Sequence, residues 1–250
     1  MGGVRTMVWK ELREQYLRGG HPAFAFWAGV FLDFALGIGI PIFLASITME
    51  GDLATRFLPG VIGAGIVAIA FQATLAPLAV VVDAIAGERE RHTLETLLAS
   101  PLSDSAILWG KVLSMYIVAW AHAAIFGLVF GTTVTVLVGP AGLAAAFLVP
   151  VIGGLVGTVT ASFFIAIGVL ISLRAANVKQ GQQWFSYILL PLFLFLPIAG
   201  PFGLTGWFLE SSPDERLAGF LIGAGLLLLL DLLLMGWARW AFHRERLVAR

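Results

Sequence analysis

The chain has 250 residues, of which 59% are hydrophobic and 12% are charged, and its mean hydropathy is +0.95. A soluble domain carries about 25% charged residues, so the composition excludes a soluble globular protein and indicates a polytopic membrane protein. The net charge of zero lacks the basic excess that nucleic-acid binding requires, and zero cysteines exclude disulfides, thiolate metal sites and a cysteine nucleophile.

Residues 1–22 predict a cytoplasmic N-terminus that contains an interfacial helix. Apolar residues recur at helical spacing from Val4 to Tyr16, and the charged residues fall on the other side. Trp9 and Tyr16 are residue types that favour the lipid headgroup level. We therefore expect this helix to lie flat on the membrane and to end at the break formed by residues 19–22.

Residues 23–250 predict a single all-α transmembrane domain. Because a helical span needs ~20 apolar residues, we predict six spans, at about 23–49, 57–85, 106–138, 143–173, 184–208 and 217–241. Three prolines in the fifth span, Pro191, Pro197 and Pro201, leave open whether that span is continuous or re-entrant.

The distribution of basic residues predicts the orientation of the chain. With a cytoplasmic N-terminus, 13 of the 15 Lys and Arg residues fall on the inner side, and only Arg56 and Arg216 fall outside. The positive-inside bias therefore predicts a multi-pass protein of the cell membrane with both termini, and the loop after the second span, in the cytoplasm.

Three ionisable residues lie deep within predicted spans: Asp33 in the first, His122 in the third and Asp231 in the sixth. A charge at such a depth costs about 2.5–3.5 kcal/mol on insertion scales, so each side chain should face the protein interior. These residues are candidates for a translocation path or a proton-linked site. Hydrogen bonding between helices is the alternative interpretation, and His122 has no second histidine nearby to form a metal site.

Motifs for nucleotide binding and hydrolysis are absent from the sequence. Gly110-Lys111 lacks the upstream glycine of a P-loop and is followed by Val112, so the chain has no P-loop of its own. Neither H-E-x-x-H nor G-x-S-x-G occurs. The G-x-x-x-G pairs predict close helix packing and are only weak support for dimerisation: Gly127/Gly131, Gly153/Gly157 and Gly219/Gly223.

One polar segment, residues 83–111, interrupts two of the longest apolar runs. Leu94, Leu97 and Leu98 have the i, i+3, i+4 spacing of one helix face. Pro101 disfavours helix at the residue before it, and Ser103 is a suitable N-cap for the next span. The segment predicts a short amphipathic helix at about 88–100.

The residues of this segment resemble the signature of ABC-2 type permeases, the membrane subunits of ABC exporters. Residues 88–101 read ERERHTLETLLASP, and residues 107–111 read ILWGK. The family pattern is roughly E-x-E-x-G-T-L-E-x-L-L-x-[ST]-P-[VLI]-S, with Gly-Lys a few residues later, between spans two and three. His92 replaces the usual glycine, and Asp104 stands where a basic residue is common. The resemblance covers nearly the whole chain.

The resemblance implies the six-span fold of ABC-2, or type V, exporters, with a coupling helix that docks on a separate ABC ATPase subunit. It implies that the path forms between two copies of the permease, or one copy and a paralogue, in the lipid bilayer. ATP and Mg would bind to the partner, with no cofactor on this chain. The implied coupling residues are Glu88, Arg89, Glu90, Arg91, His92, Thr93, Leu94, Glu95, Leu97 and Leu98.

The residues themselves are compatible with this role. The leucine face is one that a free loop has no reason to keep, and we expect it to dock on the ATPase. Arg91 and Glu95 are i, i+4 neighbours whose pairing is worth only ~0.3–0.5 kcal/mol. An amphipathic linker on lipid is the alternative, and Glu88, Glu90 and Glu95 disfavour it because headgroups are anionic.

Two other functions stay open at this point. A stand-alone secondary transporter or channel using Asp33 and Asp231 predicts an inverted repeat, and no convincing repeat occurs. An intramembrane enzyme needs a nucleophile-base pair or a metal cluster, and the sequence offers neither. The substrate does not follow from the sequence, although buried carboxylates favour a cationic or amphipathic cargo.

Overall fold

A computed structural model describes residues 2–14, 21–47, 58–199 and 212–242. Within these ranges the regular structure is helical, and no strand occurs in them. In chain order the helices are α1 (Gly2–Leu12), α2 (His21–Ile47), α3 (Leu58–Val81), α4 (Asp83–Glu90), α5 (Leu94–Leu98), α6 (Asp104–Val138), α7 (Leu143–Arg174), α8 (Val178–Ala199) and α9 (Pro213–Ala241). A short 3₁₀ helix, Gly139–Gly142, links α6 to α7.

Four stretches of the described residues are long and apolar enough to cross a bilayer: Phe26–Ser46, Leu58–Glu90, Asp104–Arg174 and Leu221–Ala241. The third is 71 residues long and contains both α6 and α7. The expectation of an all-α membrane protein is therefore confirmed. The count of six spans, and the bounds of each, stay predictions.

The predicted fifth span corresponds in part to α8. This helix runs from Val178 to Ala199 and passes through Pro191 and Pro197 without a break. The predicted end of the span, including Pro201, lies outside the described residues, as do Tyr16 near the N-terminus and the last eight residues of the predicted cytoplasmic C-terminus.

The chain divides into two compact units. The first comprises Met1–Val81 and Leu102–Ile165, and the second comprises Val82–Pro101 and Ala166–Arg250. Each is described by itself below.

The first unit is built around α6, which packs against α1, α2 and α3. This helix has 35 residues, so at about 1.5 Å per residue it is roughly 52 Å long and exceeds the ~30 Å hydrocarbon core. As the sequence predicts, Ser103 is its N-cap, and the Ala106 amide donates to Ser103 Oγ at 3.2 Å. The Phe126 and Phe130 rings stack at 5.5 Å within its core, which also contains Ala45, Val61, Ile69, Ala123, Val134, Ala145 and Val149.

Small residues allow α6 and α7 to approach neighbouring helices closely. A Cβ added at Gly127 would lie 2.7 Å from Pro150 Cβ, and one at Gly131 would lie 2.8 Å from Ala146 Cα. Added at Gly153, it would come within 3.0 Å of Ile69 Cβ. Two of the three G-x-x-x-G pairs therefore serve packing inside this chain, because their small residues let helix backbones approach each other closely.

Helix α1 packs its apolar face on the N-terminal part of α6. Met7 is buried, and a Cβ added at Gly110 would lie 2.4 Å from Met7 Cβ. On the other face Trp9 is exposed, with the Arg13 guanidinium 4.9 Å from its ring. A predicted interfacial helix with one apolar face is compatible with this geometry, and its place on the membrane stays a prediction.

The second unit contains α4, α5, α8, α9 and the end of α7. Helix α9 begins with a capping box, in which Ser212 Oγ accepts from the Glu215 amide and the Ser212 amide donates to Glu215 Oε2 at 2.7 Å. The backbone hydrogen bond from Ser212 lowers the pKa of Glu215 from its ordinary value. Near the C-terminal end of α9, the Trp237 ring lies 4.8 Å from the Arg174 guanidinium, and this contact links α7 to α9.

Candidate functional site

The predicted coupling helix at about 88–100 is two short helices, α4 and α5, joined by a tight turn. The reason is His92, whose φ of 55° lies in the left-handed region that an α-helix of L-residues does not enter. The turn is closed by the Thr93 amide, which donates to the Glu88 carbonyl at 2.9 Å. The prediction of one continuous helix was therefore wrong.

The three leucines of the segment are covered within this chain. Leu94, Leu97 and Leu98 are 7%, 9% and 5% exposed, respectively. The sequence argument that this apolar face is left for a partner is therefore wrong, because the chain buries the face by itself. The assignment of the segment as a docking site remains a prediction that the structure does not test.

The exposed surface of the segment is polar. We call this surface the polar turn, and it consists of Glu90, Arg91, His92, Thr93, Glu95 and Thr96. Since the leucines hold the segment to its own chain, the polar turn is the part of the segment that a second protein can reach.

Two charged side chains at the start of the segment have partners of their own. Glu88 is buried, and its carboxylate accepts a hydrogen bond from the Thr93 hydroxyl. Arg89 is half-buried and donates to the Leu173 carbonyl at 3.3 Å and to the Ala175 carbonyl. Both side chains therefore maintain the fold of the segment.

The next two charged residues also contact this chain. Glu90 Oε2 accepts from the Val178 amide at 3.1 Å. Arg91 Nη2 lies 3.2 Å from Asp83 Oδ2, and Gly87 leaves room for this ion pair. Arg91 is therefore paired within α4, and the predicted i, i+4 pair with Glu95 does not form because the helix is broken between the two residues.

The predicted path residues Asp33 and His122 meet inside the first unit. His122 Nδ1 lies 2.6 Å from Asp33 Oδ2, and Gln72 Nε2 donates to Asp33 Oδ1 at 2.7 Å. Asp33 is 0% exposed, His122 2% and Gln72 4%. Gly29 makes room for the His122 ring, since a Cβ there would lie 2.6 Å from His122 Cε1. We call Asp33, Gln72 and His122 the polar cluster.

The polar cluster joins α2, α3 and α6 by hydrogen bonds that satisfy both carboxylate oxygens. An apolar groove of about 640 Å³ lies elsewhere in this unit, along α6 and α7, and none of the three residues lines it. The geometry therefore matches the interpretation of hydrogen bonding between helices. The third path residue, Asp231, belongs to the second unit, where it is buried in α9 with 6% exposure.

Sequence reasoning missed a buried ion pair between α1 and α6. Lys111 Nζ lies 2.7 Å from Glu11 Oε1, and both side chains are almost fully buried. The available signal was Glu11 itself, which follows Met7 by four residues and so interrupts the apolar face of α1 with an acid. The structure thus gives Gly110 and Lys111 of the signature a role in holding α1.

Ser172 and Gln72 were also missed. Each is a single polar residue in a long apolar run, which is the pattern expected of a buried hydrogen-bonding group within a membrane. Within the described ranges, no group of three or more His, Asp or Glu side chains could hold a metal ion.

Comparison with known families gives a match over most of the chain. The model of the ABC-2 family transporter protein matches residues 42–221, a range that includes the polar turn and His122 and excludes Asp33 and Asp231. No curated protein matches the chain. A match of this length, over a helical membrane protein that carries the signature segment between α3 and α6, shows the family: the chain belongs to the ABC-2 family of transporter proteins.

Proposed function

We propose that this chain is the permease subunit of an ATP-driven ABC-2 type exporter. Its family membership supports a membrane component of an ABC transporter. No P-loop occurs in the sequence, and in this proposal an ATP-binding partner supplies the energy for transport. The partner is an ABC ATPase subunit, which binds the ATP and Mg.

The observation that carries the proposal is the polar turn. Its residues project from two helices whose apolar side chains are buried, so the turn is held in place and its charged face is accessible. Rigid, charged protrusions of this kind give register and specificity in an interface. Glu95 and Thr96 are exposed, and they are the residues for which we expect direct contact with the ATPase.

The complete permease has six spans, both termini in the cytoplasm, and a path between two copies or between one copy and a paralogue. In this proposal the spans correspond to the six long helices α2, α3, α6, α7, α8 and α9. Only 22% of the most apolar part of α2 and 17% of that of α9 is buried within the chain. Most of the surface of these two helices is therefore available to lipid or to a second subunit.

Transport follows from a shift between two arrangements of the helices. ATP binding closes the two ATPase subunits, the polar turns move with them, and the helices change from a closed or inward-facing state to an outward-open one. Coupling of this kind requires that the docked contacts differ in free energy between the two states.

The test is co-purification of the chain with an ATP-binding subunit, followed by assay of ATP hydrolysis in lipid. We expect Glu95→Lys to reduce both co-purification and transport-coupled hydrolysis at least tenfold, the effect of about 1.4 kcal/mol of lost contact energy. Asp214→Lys replaces an exposed acid at the start of α9 and is the matched control, with little effect expected.

Two results would contradict the proposal. One is a wild-type chain that transports its substrate without any ATP-binding subunit. The other is a Glu95→Lys variant that inserts normally and keeps full ATPase binding and transport.

A further inference from the structure

In the second unit, side chains of α4 and α7 form hydrogen bonds with backbone groups at the ends of neighbouring helices. A helix leaves its first four amides and last four carbonyls without partners inside the helix. Near the polar turn these groups are satisfied by side chains that come from a different helix. Three residues do this: Ser172, Arg89 and Glu90.

Ser172 of α7 caps the N-terminus of α4. The residue at the N-cap position of α4 is Val82, whose side chain makes no capping hydrogen bond. Ser172 Oγ instead accepts from the amides of Ile85 and Ala86, both at 3.0 Å, and donates to the Val82 carbonyl at 2.7 Å. Ser172 is fully buried, so water does not compete for these bonds. A side chain inserted here also separates α3 from α4.

Arg89 of α4 caps the C-terminus of α7 in return. Its guanidinium donates to the carbonyls of Leu173 and Ala175, which lie at the end of α7. A cation at a helix C-terminus is favourable because the carbonyls there carry partial negative charge. Helices α4 and α7 are therefore joined twice, by Ser172 of α7 and by Arg89 of α4.

Glu90 of α4 caps the N-terminus of α8. Its carboxylate accepts from the Val178 amide, the first of α8, at 3.1 Å. Helix α8 also packs closely on the start of α4, since a Cβ added at Gly181 would lie 2.4 Å from Val82 Cγ1. An anion at a helix N-terminus is again the favourable sign.

We propose that Ser172, Arg89 and Glu90 form a clamp that makes α4 and the cytoplasmic ends of α7 and α8 move as one body. The inference rests on the proposed function, because it names the helices on which the docked ATPase acts. Displacement of the polar turn passes through the clamp to α7 and α8, in addition to the covalent path through α3 and α6. Arg89 and Glu90 are thus positioning residues: their side chains hold the polar turn in place, and we expect direct contact with the ATPase from Glu95 and Thr96 of that turn.

The clamp is tested first without any partner. The chain has no cysteine, so Thr96→Cys and Gln183→Cys, both at exposed positions of the second unit, give a unique pair of spin labels. We expect a narrow distance distribution in the parent chain. We expect Ser172→Ala and Arg89→Gln each to broaden it, with Arg89→Lys intermediate because the lysine ammonium keeps the charge but lacks the planar fork that reaches both carbonyls.

A local measurement accompanies the labels. Amide hydrogen exchange over residues 178–182 should rise about tenfold or more in Glu90→Gln and Arg89→Gln, the factor expected for loss of a charged hydrogen bond. Lys179→Gln removes an exposed charge from the same turn of α8 and is the control, with exchange unchanged. Distances and exchange rates that match the parent in Ser172→Ala and Arg89→Gln would overturn the clamp.

The last step separates the clamp from the proposed docking site. With the co-purified ATPase, we expect Arg89→Gln and Ser172→Ala to keep ATPase binding and to lose transport-coupled hydrolysis at least fivefold. Loss of binding in Arg89→Gln would instead make Arg89 a docking residue and overturn the inference. A parent chain that binds no ATPase would contradict the proposed function, while the partner-free measurements would still decide the clamp.

Discussion

At the scale of single residues, His92 shows how a departure from a family signature relates to the backbone. The ABC-2 pattern has glycine at this position, and the structure gives His92 a φ of 55°. Glycine adopts this conformation without strain, and histidine is among the residues that tolerate it better than most. The turn between α4 and α5 therefore requires a left-handed backbone conformation at position 92, whether glycine or histidine occupies it.

This backbone makes a prediction about substitutions at position 92. His92→Gly should keep or raise stability, by up to about 1 kcal/mol, whereas His92→Val should lower it by roughly 1–2 kcal/mol because a β-branched residue is strained there. Thermal unfolding of the purified chain in detergent measures both. A valine variant as stable as the parent would show that the turn does not need the left-handed conformation.

The polar cluster belongs to the same scale. Asp33 forms hydrogen bonds with side chains of two other helices, and removal of one partner leaves a buried polar group without compensation. Replacing both hydrogen-bonding partners by apolar side chains lowers the free energy of unfolding much less, because no buried polar group is then left without a partner.

We expect His122→Leu and Gln72→Leu each to lower the free energy of unfolding by about 1–3 kcal/mol. The double variant Asp33→Leu, His122→Leu should recover most of the loss, and should keep transport if the cluster only holds helices together. Thermal unfolding and transport are measured side by side. A stable double variant without transport would place the cluster in the translocation path.

At the scale of elements, α1 is joined to α6 by apolar packing and by an ion pair. Gly110 admits Met7, and Lys111 pairs with Glu11 at 2.7 Å one residue further along α6. Lys10 also approaches Glu11, at 3.7 Å, from a less buried position. The Gly-Lys dipeptide of the signature is thereby explained by helix packing.

Lys111→Met should destabilise the chain by about 3–5 kcal/mol, because it leaves the Glu11 carboxylate buried without its close cation. The double variant Glu11→Leu, Lys111→Met removes both charges and should restore most of the stability. Protease sensitivity near residues 12–20 reports release of α1, and thermal unfolding reports the energy. Equal stability of the Lys111→Met and double variants would contradict a buried ion pair.

At the scale of the whole molecule, the apolar surface of the chain is what identifies its environment. Helices α2 and α9 expose large side chains such as Phe31, Phe43 and Leu232 along their length. A surface of this kind in water would aggregate, whereas in a bilayer it needs no cover. The distribution of basic residues predicts which end of each helix faces the cytoplasm.

Single cysteines test this orientation on the cysteine-free chain. Thr96→Cys, in the polar turn, should react with a membrane-impermeant maleimide only after cells are permeabilised. Ala141→Cys, in the turn between α6 and α7, should react in intact cells. Reaction of Thr96→Cys in intact cells would reverse the predicted topology and exclude docking of a cytoplasmic ATPase at this turn.

The sequence alone was enough for the properties that depend on composition and on short-range pattern. Long apolar runs predicted an all-α membrane protein, Ser103 predicted the start of α6, and the ERERHTLETLLASP segment identified the family. Each of these is encoded in neighbouring residues, since hydropathy, helix caps and signature motifs are local.

Only the tertiary structure decided which side chains are buried and which side chains pair with each other within the chain. It buried Leu94, Leu97 and Leu98, paired Lys111 with Glu11, and joined Asp33 to His122. These two contacts connect residues about a hundred positions apart, and hydropathy shows no pattern over such a separation. The leucine spacing is the same whether this chain or another protein covers the leucines. Spacing along the chain determines which face a residue occupies, and only packing determines what covers that face.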